Sequence, residues 1–237
     1  MEKKICFHIV SHGKLQCYDL QSYFFKKFKN LTKDDYDIIV WDNSQASEEE
    51  LINHTSGFEV KPTIFHKMPN QGYFLGQLYA LNETYSLYEK YKYVVHLSVD
   101  CFIVDDQPLY DWLQNLDSCE CGLLTNQFYF LKNNSVTNKT TECYGTDFFV
   151  FKPDMLNKNF WTESLTLGYI PPELIMKILS VKYDIPVLIW TRMHTTIDGR
   201  VLCAPTEEQM KGYRYRYNAD TSGIHHTHDL EDLDKYK

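Results

Sequence analysis

The sequence has no long apolar run. Met1-Glu2-Lys3-Lys4 is followed only by the short stretch Ile5 to Val10 before Ser11-His12-Gly13, which lacks the length and the small-residue cleavage site of a secretory signal. No stretch reaches the span of a bilayer, so the expectation is a cytoplasmic chain, of its own cell or of an infected host, without a transmembrane segment. An excess of positive charge is also missing. The 24 Lys and Arg against 32 Asp and Glu leave a formal net charge of -8, which argues against nucleic acid as a partner but leaves room for a nucleotide pocket. The seven cysteines are an odd number, and Cys6 and Cys101 sit in apolar, strand-like runs where a thiol acts as a small hydrophobe, so a disulfide framework is not expected. Cys119-Glu120-Cys121 has no second pair at zinc spacing. There is no internal repeat and no interdomain linker.

What is present is enough apolar sequence for one sizeable core: 237 residues, 43% hydrophobic, consistent with a single domain. Aromatics are 15% of the chain, with Tyr well ahead of Trp; some rings are candidates for lining a cleft, and core filling accounts for most. The first half alternates short apolar runs with amphipathic stretches, the pattern of βαβ units around a mainly parallel sheet. Strands are predicted at Ile5 to Val10, Tyr36 to Trp41, Val60 to His66 and Tyr93 to Leu97, with helices at Tyr18 to Phe28, from Ser47-Glu48-Glu49-Glu50, and from Phe74 to Tyr88. Later come a helix at Leu109 to Leu116, strands at Gly122 to Leu131, Phe148 to Phe151 and Val187 to Thr191, and a helix from Pro171-Pro172-Glu173 to Val181. Lys132 to Thr141 reads as a loop, and Asp105-Asp106 as a turn or helix cap.

Three strand or turn ends carry the chemistry. Asp42-Asn43-Ser44 follows a strand, Asn70-Gln71-Gly72-Tyr73 precedes a helix containing Gly76, and Leu97-Ser98-Val99-Asp100 ends a buried strand, the place where open α/β sheets bind ligands. In order and spacing this set, covering roughly the first half, resembles the family 2 group of GT-A glycosyltransferases. The resemblance implies a twisted, mainly parallel Rossmann-like α/β domain with a donor half (residues 1–106) and an acceptor half (107–237). It implies transfer of a sugar from a nucleotide diphosphate, UDP favoured, to a glycan or other hydroxyl acceptor, with inversion slightly preferred. It also implies a divalent cation, manganese favoured over magnesium, held in that family by an Asp-x-Asp motif. Here the motif reads Ser98-Val99-Asp100, so Asp100 alone keeps the ligand role.

By the same resemblance Ser11, His12, Asp42, Asn70, Gly72, Ser98 and Asp100 are the donor-site candidates. Each has a plainer alternative, since Asp42 with Asn43, and Asn70 with Gly72, are also ordinary turn formers. The base that takes the acceptor's proton divides between Asp147, at a strand start, and Glu173, in the first turn of a helix. Family 2 enzymes often carry a Glu-Asp pair at the latter place, and here its Asp is missing. Among His225-His226-Thr227-His228, either His225 or His226 is a candidate second metal ligand. Arg192, Arg200, Lys211, Arg214 and Arg216 supply late positive charge for a diphosphate. The rivals are a nucleotidyltransferase on a sugar phosphate, for which Ser11-His12-Gly13-Lys14 is a poor glycine-rich loop, and a non-catalytic nucleotide- or sugar-binding module.

Overall fold

The chain begins with a strand in which every residue is buried, β1 (Ile5–Ser11), and the sheet grows outward from it on both sides. The computed structural model describes residues 3–66, 73–131, 140–167, 170–196, 223–227 and 230–237. A helix, α1 (Gln16–Phe25), leads to β2 (Tyr36–Asp42), and α2 (Glu48–Thr55) leads to β3 (Thr63–His66). The chain then crosses back through α3 (Tyr73–Glu83) and α4 (Tyr85–Tyr88) to β4 (Tyr93–Ser98), which pairs with β1 on the side away from β2. Strands β3, β2, β1 and β4 are parallel neighbours. The strands are added to one side of β1 and then to the other, so the place between β1 and β4 is a topological switch point, where such sheets open a crevice beyond the carboxyl ends of the strands.

The second half completes the sheet. After β5 (Cys101–Ile103) and α5 (Gln107–Ser118) come β6 (Leu123–Leu131), β7 (Thr140–Tyr144) and β8 (Phe148–Phe151). Strand β8 runs antiparallel to β4 and to β6. Helices α6 (Lys158–Thr166) and α7 (Pro172–Lys182) precede β9 (Val187–Thr196), which is parallel to β6. Among the described residues the main sheet has eight strands, and β10 (Ile224–His226) pairs with β5 in a separate two-stranded sheet.

Because side chains alternate across a strand, β1 sends Ile5, Phe7 and Ile9 to one face and Cys6 to the other. The first face is covered by α1, α2 and α5 and the second by α3, α4, α6 and α7. Most aromatic rings go to these cores: Phe7 meets Phe25 edge-on at 4.8 Å, and Phe151 lies 5.0 Å from Trp161. Cys6 and Cys101 are fully buried within their strands, as small hydrophobes. Among the described residues no helix is long and apolar enough to cross a membrane.

Several element boundaries differ from the sequence reading for local reasons. Strand β3 starts after Pro62, which has no N–H to give to a ladder. The long helix expected to Tyr88 is two, broken at Thr84, whose hydroxyl donates back to the Ala80 carbonyl at 2.6 Å. The Ser47 to Glu50 start is a capping box, each residue's side chain bonded to the other's N–H. Thr140 and Thr141 belong to β7 rather than to a loop, and residues 132–139 lie outside the described residues. Asp105 accepts from the Gln107 N–H at 3.1 Å, a turn at the start of α5. Asp106 caps nothing on its own helix; buried, it accepts from the backbone N–H groups of Lys29, Asn30 and Leu31 and pins the chain beyond α1.

One buried pair makes stability depend on pH. His8 and His96 meet across β1 and β4, Nδ1 to Nδ1 at 3.1 Å, both fully buried. One ring donates and the other accepts, so the bond requires at least one of the two Nδ1 atoms to be unprotonated. Burial pushes His8 down to about 3 and His96 well below its ordinary value. The unfolded chain takes up these protons near pH 6.5, whereas the folded chain does so only far lower. Stability is therefore complete above about pH 6.5 and falls as pH drops toward 3, by about 1.4 kcal/mol per pH unit for His8, with His96 acting in the same direction. Urea unfolding is expected to show lower stability at pH 5 than at pH 7, by roughly 2 kcal/mol on account of His8 with His96 adding in the same direction, and a variant with Phe at both positions is expected to flatten the slope. Equal stability of the native chain at both pH values would contradict this account.

Candidate active site

The site lies where β1, β2 and β4 end. Strand β1 closes on Ser11, whose hydroxyl accepts from the Gly13 N–H at 3.3 Å. Gly13 has φ +112, a backbone conformation that side-chain-bearing residues rarely adopt, and the turn it makes delivers Lys14. Beside it, β2 ends on Asp42, fully buried, with Oδ1 accepting from the Ser44 N–H at 2.7 Å and Oδ2 from the Tyr18 hydroxyl at 2.9 Å. Burial and the neighbouring Asp42 carboxylate raise the Tyr18 phenol well above its ordinary range, so it stays protonated and donates. The Ser44 bond is that of a turn former, and the Tyr18 bond ties the end of β2 to α1.

His12 is oriented by its neighbours. The Trp41 indole N–H donates to Asn43 Oδ1 at 3.0 Å, which turns the Asn43 amide NH2 toward His12 Nδ1 at 3.4 Å. A neutral His12 in this arrangement carries its proton on Nε2. Burial lowers its pKa, against the opposing pull of Asp42 and Asp100. The ring rests against Gly76 of α3, where a Cβ would lie 2.7 Å from its Cε1. Gly76→Ala is expected to leave the protein folded, because alanine gains about 0.5–1 kcal/mol in a helix interior while the ring swings aside. Loss of the His12 position is expected to weaken nucleotide binding by about 5- to 10-fold, the worth of one hydrogen bond. Calorimetry with UDP and GDP, paired with a melting curve, checks both halves.

Strand β4 ends in Ser98, and its ladder continues one step beyond the strand, Val99 N–H to the Val10 carbonyl at 2.9 Å. Gln77 of α3 donates to Ser98 Oγ at 2.7 Å. Ser98 in turn lies 3.5 Å from Asp147 Oδ1, and its N–H donates to the Asp147 carbonyl at 2.7 Å. Asp147, nearly buried at the entry to β8, is thus tied to the end of β4, two residues from Asp100. Glu173 lies buried in the first turn of α7, a helix packed on β7 and α3.

Asp100 is the meeting point. Lys14 Nζ donates to its Oδ2 at 2.5 Å, and His226 Nε2 lies 3.5 Å from its Oδ1. The histidine arrives because β10 pairs with β5, opposing His226 to Cys101, while the Gly223 carbonyl accepts from the Val104 N–H at 2.9 Å. The Thr227 N–H then closes on the Asp100 carbonyl at 3.1 Å. Alternation along β10 allows only one of the two histidines to face Asp100, and His225 instead packs on the Tyr236 ring, centroids 5.2 Å apart. So Ser11, His12, Asp42, Ser98, Asp100, Asp147 and His226 gather at or beside the carboxyl ends of β1, β2 and β4. Asn70, Gly72, Arg200, Lys211, Arg214 and Arg216 lie outside the described residues.

A divalent cation here would draw on Asp100 and His226. Among the described residues no three His, Cys, Asp or Glu side chains gather to hold an ion. The Asp100 oxygen away from His226 is already held by the Lys14 ammonium. As it stands, this donor set does not fit a divalent ion unless the ammonium is displaced. The sequence reading missed Lys14, weighed only as part of a poor phosphate loop, and Gln77, one residue past the Gly76 that drew attention.

No protein-family model matches the sequence, and no curated protein matches it. Solved structures do. A mannosyltransferase from Pyrobaculum calidifontis in complex with GDP-Man and Mn2+ superposes with a TM-score of 0.54 at 10% identity, covering 80% of this chain and 55% of that one. The bifunctional glycosyltransferase WbbM superposes with a TM-score of 0.53 at 15% identity, covering 80% of this chain and 39% of that one. A CMP:2-keto-3-deoxy-manno-octonic acid synthetase complexed with CTP aligns with a TM-score of 0.49 at 8% identity, over 88% of this chain and 96% of that one. The chain spans little more than half of the mannosyltransferase and less than half of WbbM. Its fold is that of the GT-A glycosyltransferases: mixed α/β, Rossmann-like, with a mainly parallel sheet between helices.

Proposed function

We propose that this chain transfers a sugar from a nucleotide diphosphate to a hydroxyl group of a carbohydrate acceptor. The observation that carries the reading is the convergence at the switch point, where Asp100 follows the end of β4 with Lys14 and His226 at its two oxygens, and Asp147 is bonded to Ser98, two residues before Asp100. The nucleoside lies over Ser11, His12 and Asp42, and the diphosphate faces the Asp100 cluster. In the reaction the acceptor oxygen forms a bond to the anomeric carbon as the bond from that carbon to the β-phosphate oxygen breaks. The electron pair leaves on the phosphate, and the acceptor's proton passes to Asp147, with inversion at the sugar carbon. Positive charge at the leaving oxygen lowers the barrier. A uridine donor is our first choice. Guanosine is its competitor, because the mannosyltransferase structure carries GDP-Man.

The test is a panel of UDP- and GDP-sugars offered to the purified chain, with nucleotide release followed by chromatography. Slow donor hydrolysis that a carbohydrate acceptor accelerates supports the transferase. Incorporation of a nucleoside monophosphate onto a sugar phosphate would instead support a nucleotidyltransferase, and binding without any turnover a non-catalytic module.

A further inference from the structure

We propose that Gln21 is a positioning residue for the donor site: from α1 its amide grips the backbone on both sides of Asp100 and so fixes where that carboxylate stands. The inference rests on the donor reading above and deepens it.

Between β4 and β5 the chain turns at Val99 and Asp100. Gln21 Nε2 donates to the Val99 carbonyl at 3.2 Å and to the Cys101 carbonyl at 2.7 Å, while the Asp100 carbonyl between them accepts from the Thr227 N–H at 3.1 Å. The two carbonyls that flank Asp100 are thus tied to one side chain, and its own carbonyl to the residue after β10. The NH2 has two hydrogens for these two acceptors. Its orientation is decided by them, since a reversed amide would set an oxygen against two carbonyl oxygens. Gln21 is fully buried, and among the described residues its Oε1 meets no donor, so its polar contacts are all directed at this turn.

The helix that carries Gln21 also serves the other carboxylate of the site. Tyr18 donates to Asp42 Oδ2 at 2.9 Å. Cys17, one turn before Gln21 on the same face, lies close enough to Asp100 that burial and then the Asp100 charge push its thiol up to about 12. Lys14, bonded to Asp100 Oδ2, enters just before the helix begins at Gln16. One helix therefore holds the end of β2 and the turn after β4 in a single frame. An electrostatic contact helps a reaction only where it is already in place when charge develops, so a turn free to shift would carry the Asp100 carboxylate away from its working position.

The test is the rate of donor hydrolysis, over the panel of UDP- and GDP-sugars, by the native chain, Gln21→Met, Asp100→Ala and the double variant. Gln21→Met keeps the length and unbranched shape of the side chain and removes both donors. It is expected to lower kcat about 10- to 100-fold, as a small misplacement at the reacting centre does, with the KM for donor within about threefold of native. In the Asp100→Ala background the same change is expected to cost no more than about twofold, because the group it positions is gone. A loss of folded protein would instead lower both backgrounds by one factor. Gln21→Asn, whose amide stops one methylene short of the two carbonyls, is expected to fall between and carries the same cycle if Gln21→Met does not fold. Gln21→Met within about threefold of native, equal losses in the two backgrounds, or Asp100→Ala as active as native would overturn the inference and leave turnover of a nucleotide sugar standing. A native chain that hydrolyses none of the donors would overturn both.

Discussion

Asp147→Asn is expected to slow sugar transfer by about 100- to 10,000-fold, the usual contribution of a positioned general base, with nucleotide affinity unchanged to within about threefold. The asparagine keeps the shape of the side chain, and the backbone carbonyl that receives the Ser98 N–H is untouched. Only the capacity to take a proton is removed. The loss should fall on kcat, with the KM for donor steady, since in the proposed reaction Asp147 acts on the acceptor hydroxyl. Glu173→Gln is the paired control. Glu173 sits in the first turn of α7, where a carboxylate also stabilises the helix end, so its loss is expected to cost stability more than rate. A full drop for Glu173→Gln with Asp147→Asn near native would move the base to α7.

Asp100→Ala is expected to lower kcat/KM for donor hydrolysis by about 100- to 1,000-fold, comparable to losing one preorganised electrostatic contact at a developing oxyanion. Two groups lose their anchor in this variant. Lys14 no longer has the oxygen that fixes its ammonium, and His226 loses the carboxylate 3.5 Å from its Nε2. The fold should survive, because the main-chain bond from Thr227 to the Asp100 carbonyl does not involve the side chain. Turnover within about threefold of native would show that the developing charge is met elsewhere.

The donor half of the fold was legible because its signals are local. Strand β1 and strand β4 are largely apolar runs, each broken by one histidine, as suits buried parallel strands, and Ser47 to Glu50 spells a capping box in the chain itself. The strand-end position of Asp100 followed from Val94, Val95 and Leu97 before it. What was not legible depends on distant parts of the chain. Nothing near Cys101 announces that Ile224 to His226 will pair with it, yet that pairing decides which histidine faces Asp100. The alternation that separates His225 from His226 is visible only once the segment is known to be a strand. Asp106 illustrates the same limit: a helix-start aspartate by its neighbours, it is used by the backbone of Lys29 to Leu31 from another part of the fold. Lys14 escaped notice because a lysine after a turn has no pattern of its own; its meaning comes from a carboxylate 86 positions later.

A crystal of the protein soaked with UDP, and another with GDP, tests the central claim most directly. The account predicts that in at least one of them the diphosphate lies beyond the ends of β1 and β4, with phosphate oxygens beside Lys14 and the base toward His12 and Asp42. A nucleotide bound on another face of the sheet, with the Asp100 cluster left untouched, would contradict it.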